Sequence, residues 1–348
     1  MKLLQSTLEK IEKLDEFYME KANEKLDNLI KPLGSLGKIE DICIQLAGIY
    51  ESESFDTSKK TIIAFGGDHG VYEEGIASSD QIITKLQIPN YVKGISGVGV
   101  LGKFAGAKVI AVDVGINCDE ELEGVLNYKI RKGTSNIAKG PAMTREEAIK
   151  SLEIGIELAN KAVKEGYKVL GIGEMGIGNT TPSSAIVSLY ANCDPLEVTG
   201  IGAGLSNDKL NHKANIIKRS LELNNPNNDD AIDVLSKVGG FEIGAMAGVI
   251  LGASANRVPV VLDGFISYAS ALLAYNLNEL TKKYMIASHH SSEAGSFKAL
   301  ELLGLSPMLN MDMRLGEGSG AALAFNIIEA ANYTYKNMAT FAQTEIVI

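Results

Sequence analysis

The segment Met313-Arg-Leu-Gly-Glu-Gly-Ser-Gly sets an acid, Glu317, between two glycines just ahead of a helical stretch. Glycine neighbours carry no side chains, so a ligand can come close to that carboxylate. An acid so placed suits proton abstraction. It equally suits an inert helix-start acid held by the helix dipole, and composition does not separate the two. A second acid, Glu174, lies in Val169-Leu-Gly-Ile-Gly-Glu-Met-Gly-Ile-Gly-Asn-Thr-Thr-Pro, where Gly171, Gly173 and Gly176 spell GxGxxG after an apolar run. Alone, that spelling suggests a dinucleotide fold. Two details oppose it. Glu174 sits inside the turn, where its charge would face a pyrophosphate. Thr181-Pro182 reads as an N-cap followed by the first helical residue, which starts the helix well past Gly176. The expectation is a loop whose amides approach a ligand while Glu174 accepts a hydrogen bond from a ribose hydroxyl or another polar substrate group.

Thr199-Gly-Ile-Gly-Ala-Gly brings Gly200, Gly202 and Gly204 ahead of a helical stretch with Lys209, His212 and Lys213. Glycines admit a phosphate close to backbone amides, and a nearby lysine supplies charge. A flexible loop with solvated lysines is the plainer alternative. Asp263-Gly264 ends an apolar run, well placed for a ribose hydroxyl. Ser288-His-His-Ser-Ser-Glu follows another such run, and its hydroxyls and helix-start amides suit a phosphate. A metal site drawn from His69, His289, His290 and Asp113 fits no standard ligand spacing and contains no helical i, i+4 histidine pair. No metal is expected; the histidines hydrogen-bond locally or line a pocket.

The elements that must position these residues follow from periodicity. From Thr61 onward, short apolar runs ending in Gly, Asp or Ser alternate with helical segments: Thr61–Phe65, Val109–Val114, Lys168–Ile172, Val258–Leu262 and Tyr284–Ser288. Strands of a parallel sheet covered by helices on both faces look like this. The 36 glycines concentrate at the run ends, where open α/β sheets bind their ligands. Ahead of the sheet, Leu8, Ile11, Leu14, Phe17 and Tyr18 among charges predict one amphipathic helix over residues 6–30. Pro32 and Gly34 separate it from a second helix over 36–50. Residues 321–336 return to helix and rejoin this N-terminal annex, while Asn224–Asp230 reads as a polar surface loop.

The 348 residues suffice for one large domain, or for a large and a small one. A share of 45% hydrophobic and 22% charged residues argues against disorder. A net charge of -10 without a basic run excludes a nucleic-acid partner, yet a few local cations and amides still hold one phosphate. Cys43, Cys118 and Cys193 form no CxxC and read as free thiols of a reducing cytosol. No signal-peptide pattern is seen at the N-terminus. The most apolar stretch, Ile243 to Ala255, falls short of the ~20 residues a membrane span needs. The cytoplasm is therefore expected, with no membrane partner.

Six motifs occur in order: Lys31-Pro-Leu-Gly-Ser-Leu-Gly, Phe65-Gly-Gly-Asp-His-Gly-Val, Gly173-Glu-Met-Gly-Ile-Gly-Asn-Thr-Thr, Val238-Gly-Gly-Phe-Glu, Leu262-Asp-Gly-Phe and Met313-Arg-Leu-Gly-Glu-Gly-Ser-Gly. Together they resemble the nicotinate-nucleotide:dimethylbenzimidazole phosphoribosyltransferase family, from about Lys31 to Met338. The resemblance implies an α/β fold, with a Rossmann-like parallel sheet flanked by helices in residues 56–317. It adds a small helical domain from the two chain ends, residues 1–55 and 318–348, and a homodimer. The implied reaction moves the 5-phosphoribosyl group of nicotinate mononucleotide to 5,6-dimethylbenzimidazole or a related base. Its products are nicotinate and an α-ribazole 5′-phosphate type nucleotide for cobamide (cobalamin) biosynthesis, and it needs no cofactor.

The same resemblance implies roles. Glu317 matches the catalytic base. Ser79 and Gln87 fall at positions lining the aromatic-base pocket, and Leu315 is counted among the substrate-binding residues. Glu174, Gly176, Gly202, Lys213, Asp263 and Ser291 fall where the nucleotide sugar and phosphate lie, with Gly204 and Gly264 beside them. Asp80 stands where the family commonly has proline, and Ala77 where it has serine, so the acceptor base stays open among benzimidazoles, adenine and phenols. Three rival readings remain: an NAD-dependent oxidoreductase using Gly171–Gly176, a metal-dependent phosphohydrolase on Asp68, His69 and His289, and a non-catalytic nucleotide-binding sensor. None of them explains all six motifs.

Overall fold

The computed structural model describes residues 1–202 and 206–344. Its strands are β1 (Lys60–Gly67), β2 (Lys108–Gly115), β3 (Leu126–Asn127), β4 (Val169–Met175), β5 (Val260–Leu262) and β6 (Met285–Ala287). They pair in parallel in the order β3-β2-β1-β4-β5-β6. Each of the five apolar runs holds a strand, because alternate residues bury in opposite cores. Ile63, Phe65, Leu170, Ile172 and Val260 face one; Ile62, Ala64, Val169 and Val261 face the other. The short β3 has no apolar run to announce it. Both its residues are exposed, and it pairs only with Val112 and Asp113.

The helices are α1 (Lys2–Leu8), α2 (Glu16–Asp27), α3 (Lys38–Tyr50), α4 (Ile82–Lys93), α5 (Gly97–Phe104), α6 (Arg145–Lys164) and α7 (Thr180–Ala191). They continue as α8 (Pro195–Val198), α9 (Asn207–Asn224), α10 (Ala231–Val238), α11 (Phe241–Ala255), α12 (Phe265–Leu277), α13 (Gly295–Leu303) and α14 (Ser319–Asn337). Leu26, Leu46, Tyr91, Val98 and Phe325 put α2 to α5 and α14 on one face of the sheet. Leu152, Ile186, Leu235, Ile250, Leu272 and Leu300 put α6, α7 and α10 to α13 on the other.

The single helix expected over residues 6–30 is two helices. α1 ends at Leu8, and Leu4 and Ile11 bury in the core opposite to that of α2. Asp15 then starts α2 afresh: its carboxylate accepts the amides of Phe17 (2.9 Å) and Tyr18 (3.3 Å), which a continuing helix would have given to carbonyls. The two chain ends meet beyond α2, where the Ile30 amide donates to the Ala339 carbonyl (2.9 Å) and Leu29 bridges Thr340. Among the described residues no helix is long and apolar enough to cross a membrane.

This strand order reverses direction at β1, which β2 and β4 flank on its two sides. Connections leave in opposite senses there, so the strand ends open a crevice at their carboxyl edge, the usual ligand position in such sheets. The turns after β1, β4, β5 and β6 all reach it. The opposite face depends on a close helix pair, α6 against α11. A Cβ built on Gly155 would stand 1.9 Å from the Ala245 carbonyl oxygen, and one on Gly248 2.0 Å from that of Leu152. Gly155→Ala is therefore expected to destabilise by about 1–3 kcal/mol through overpacking, although alanine is the better helix former by about 1 kcal/mol. Urea unfolding gives the sign, and a raised midpoint would mean that the helices do not touch backbone to backbone.

Candidate active site

A cavity of about 280 Å³ occupies the crevice. Of the residues singled out in the sequence, Ser79, Gln87, Glu174, Gly176, Gly202, Asp263, Gly264, Ser291, Leu315 and Glu317 line it. Lys213 lies just behind the wall, and Gly204 falls outside the described residues. The wall also contains Asn179, Thr180, Glu293 and Arg314, which stand inside the sequence motifs but had no role assigned to them.

Glu317 occupies the left-handed region at φ 65°, between Gly316 at 81° and Gly318 at 102°. For a residue with a side chain this backbone is costly and persists only where the surroundings impose it. Two buried acids do so. The Glu317 amide donates to Glu174 Oε1 (3.3 Å), while the amides of Gly318 (3.0 Å) and Gly320 (2.6 Å) donate to the two oxygens of Asp263. Burial pushes both carboxyls, Glu174 and Asp263, up to about 7. The Asp263 carboxylate thus caps the first turn of α14 from the wall of the cavity.

The Glu317 side chain is 5% exposed and fully engaged. Its Oε1 accepts from Gln87 Nε2 (2.7 Å) in α4, and its Oε2 accepts the Val98 amide (3.0 Å) in the first turn of α5. Ser96 caps that helix through the Gly99 amide (3.1 Å). The helix-start acid foreseen from the sequence is therefore real, but the helix is α5, more than two hundred residues away, not only α14. Leu315 lies beside the carboxylate, and Ser79 and Ile83 share the cavity wall with it, so the wall is partly apolar.

The GxGxxG segment differs from the expected loop. Gly171, Gly173 and Glu174 belong to β4 itself, and the turn begins only at Gly176. The glycines serve packing: a Cβ on Gly173 would stand 2.1 Å from the Glu317 carbonyl oxygen, and one on Gly171 would press on Phe325 of α14 at 3.0 Å. Helix α7 starts at Thr180, one residue before the expected Thr181 cap. Asn179 holds the cap position, yet its side chain donates to Glu174 Oε2 instead of capping. The carboxylate of Glu174 competes for that amide, which no local pattern reveals.

The first turn of α7 opens into the cavity at Thr180, whose amide and the positive end of the helix dipole favour an anion; the Thr181 amide is taken by the Gly178 carbonyl (3.0 Å) and Pro182 has none. Lys213, 1% exposed, reaches it from α9: its Nζ donates to Thr180 Oγ1 (2.7 Å) and to the Gly200 carbonyl (3.1 Å). Burial lowers its pKa to about 8, with Glu293 opposing. Ser291 is buried nearby, and its Oγ accepts the Glu293 amide at 3.4 Å. The histidines are committed elsewhere. His69 Nε2 pairs with Glu242 Oε1 (2.7 Å); burial is the largest single influence and pulls its pKa down, but the surrounding acids, Glu242 foremost with Asp68 and Glu174, together raise it. His289 Nδ1 meets Ser288 Oγ (2.9 Å), and burial lowers that imidazole to about 4, leaving it neutral. Among the described residues no three His, Cys, Asp or Glu side chains gather as a metal ion would require.

Comparison with known proteins adds to this geometry. A family model described as phosphoribosyltransferase matches residues 11–346. The chain is 67% identical over 346 residues to the nicotinate-nucleotide–dimethylbenzimidazole phosphoribosyltransferase of Clostridioides difficile (strain 630), covering 99% of each. It is 55% identical over 349 residues to the protein of that name from Alkaliphilus metalliredigens, covering 100% of each. A crystal structure of the Thermus thermophilus protein bearing the same name superposes with a TM-score of 0.91 at 34% identity, covering 96% of this chain and 100% of that one.

The anion end generates a test that needs no substrate. Lys213 loses its proton as the pH passes about 8, so affinity for inorganic phosphate should fall as the pH rises through that value. Lys213→Met should remove this step and weaken phosphate binding roughly tenfold to hundredfold, the worth of one charge-assisted hydrogen bond. Isothermal titration at several pH values measures both, and an unchanged affinity would place the anion elsewhere.

Proposed function

The chain belongs to the nicotinate-nucleotide–dimethylbenzimidazole phosphoribosyltransferase family, and on that premise we propose that it moves the 5-phosphoribosyl group of nicotinate mononucleotide to 5,6-dimethylbenzimidazole or a related base. The products are nicotinate and an α-ribazole 5′-phosphate type nucleotide, used in assembling the nucleotide loop of cobamides. One observation carries the residue-level reading: a buried carboxylate, Glu317, is fixed by two donors on the wall of a cavity whose far end suits a phosphate.

The chemistry balances on the chain's own residues. The ring nitrogen of nicotinate mononucleotide is quaternary, so its bond to C1′ breaks with the electron pair returning to a neutral pyridine. A benzimidazole nitrogen lone pair forms the new C1′–N bond from the opposite face, inverting β to α. The other ring nitrogen must then lose its N–H proton, and Glu317 takes it. Ser79, Gln87 and Leu315 border the space for the aromatic base. Glu174 lies beside the ribose, with Gly176 and Gly264 against it. The phosphate sits toward Gly202, Ser291, the start of α7 and Lys213. Holding two reactants in line supplies much of the rate beyond proton transfer.

We place the homodimer contact on α4 and α5, whose outward side chains are apolar and open. Leu86 is 60% exposed, Val100 54% and Phe104 77%, with Ile95 between the helices at 68%. Apolar residues grouped in this way mark an association surface. A cytoplasmic location accords with three free cysteines.

Two outcomes are expected. Glu317→Gln should bind nicotinate mononucleotide as before while turnover falls about 10²–10⁴-fold. Mass spectrometry of nicotinate and α-ribotide formed from a mixture of benzimidazoles, adenine and p-cresol reads both the loss and the preferred base. Unchanged turnover would remove Glu317 from the chemistry. Phe104→Glu should convert the dimer to monomer in sedimentation, and a variant that stays dimeric would move the contact elsewhere.

A further inference from the structure

One buried acid at the phosphate end has no task in the mechanism above. Glu293 is 6% exposed and lines the cavity, and its Oε2 has no hydrogen-bond partner among the described residues. That oxygen presses on Gly200, where an added Cβ would stand 2.0 Å from it. The Gly200 carbonyl is in turn held by Lys213 Nζ (3.1 Å). Gly200 therefore sits between the carboxylate and the buried lysine.

The groups facing Glu293 come from separate elements. They are Lys213 from α9, Arg314 from the segment ahead of Glu317, and the Gly202 amide from the glycine-rich loop, all of which favour its charged form. Burial acts the other way and is the largest influence, lifting the pKa above the ordinary carboxylate range. Two cations and a backbone amide thus converge on one side chain in the region where the proposed function seats a phosphate. An ionised carboxylate and a phosphate dianion sharing one buried cavity wall repel, so the two charges oppose each other.

We propose that Glu293 is the internal anion of the phosphate site: its carboxylate neutralises Lys213 and Arg314 in the free protein, and a phosphoryl group binds only as that carboxylate takes up a proton from solvent. The inference rests on the proposed placement of the nucleotide phosphate. It assigns Glu293 a positioning role, since the empty site keeps its lysine charged and its glycine loop in place. It also makes phosphate binding a proton-consuming step. Above the second phosphate pKa of about 6, affinity should fall roughly tenfold for each pH unit above the pKa of Glu293.

The experiment is calorimetric titration of the full chain with nicotinate mononucleotide and, separately, with inorganic phosphate. Two buffers of different ionisation heat count the protons. Wild-type protein should take up about one proton per phosphoryl group bound, and nicotinate riboside, which lacks the phosphate, should take up none. Glu293→Gln should abolish the uptake and tighten phosphate binding on the alkaline side, while leaving the separate decline that belongs to Lys213. Binding of nicotinate mononucleotide without proton uptake would overturn the proposal and leave the proposed function standing. So would a Glu293→Gln protein that binds more weakly at every pH, which would make Glu293 a hydrogen-bonding ligand. Uptake on binding phosphate, with no binding of the nucleotide, would uphold the internal anion and overturn the proposed function. Run near pH 7, below the Lys213 pKa of about 8 so that the lysine is already charged, the wild-type titrations decide the matter even where the variant fails to fold.

Discussion

Three consecutive left-handed residues, Gly316 to Gly318, set the geometry of the cavity, and two buried carboxylates hold them there. Backbone of this kind does not persist on its own when the middle residue carries a side chain. Glu174 and Asp263 impose it by accepting amides of the loop, and each sits at the carboxyl edge of a different strand. Strand positions β4 and β5 are thereby translated into the orientation of one acid, Glu317. The cost appears in the two supporting acids, whose ionisation burial disfavours. A scaffold that buries two acids in order to aim a third is consistent with a site that must be pre-arranged before its ligand arrives.

The framework was largely legible because strands buried on both faces leave a local trace. Ile62 and Ile63 point to opposite cores, and a run containing both has no amphipathic alternation to confuse it. Other features are invisible to local pattern. The split between α1 and α2 depends on Asp15 taking two amides, while the charges around it read as ordinary helix surface. Strand β3 exists only because two residues happen to lie beside β2.

The site shows the same division more sharply. Glu317 and its flanking glycines announce themselves, yet the partners of its carboxylate, Gln87 and Val98, lie 230 and 219 residues away in sequence. The glycines of the GxGxxG spelling were real signals with a different cause. Gly173 is bare because the Glu317 carbonyl occupies the space of a Cβ, a close approach of two backbones and not of a phosphate. Thr181 looked like the cap, but Asn179 holds that position and a buried carboxylate takes its side chain. Spacing records that something comes near; it does not record what.

The order in which the ribosome delivers these parts has a consequence. Strands β1, β4 and β5 and the acids Glu174 and Asp263 emerge well before residues 316–337. Until then the face of the sheet that α14 covers lacks Phe325 and Ile328, and Asp263 lacks the amides of Gly318 and Gly320. Residues 316–337 therefore complete that face of the core and arm the site in one event. A nascent chain halted before it would expose an apolar face beside unpartnered acids, a species for chaperones to hold and proteases to find.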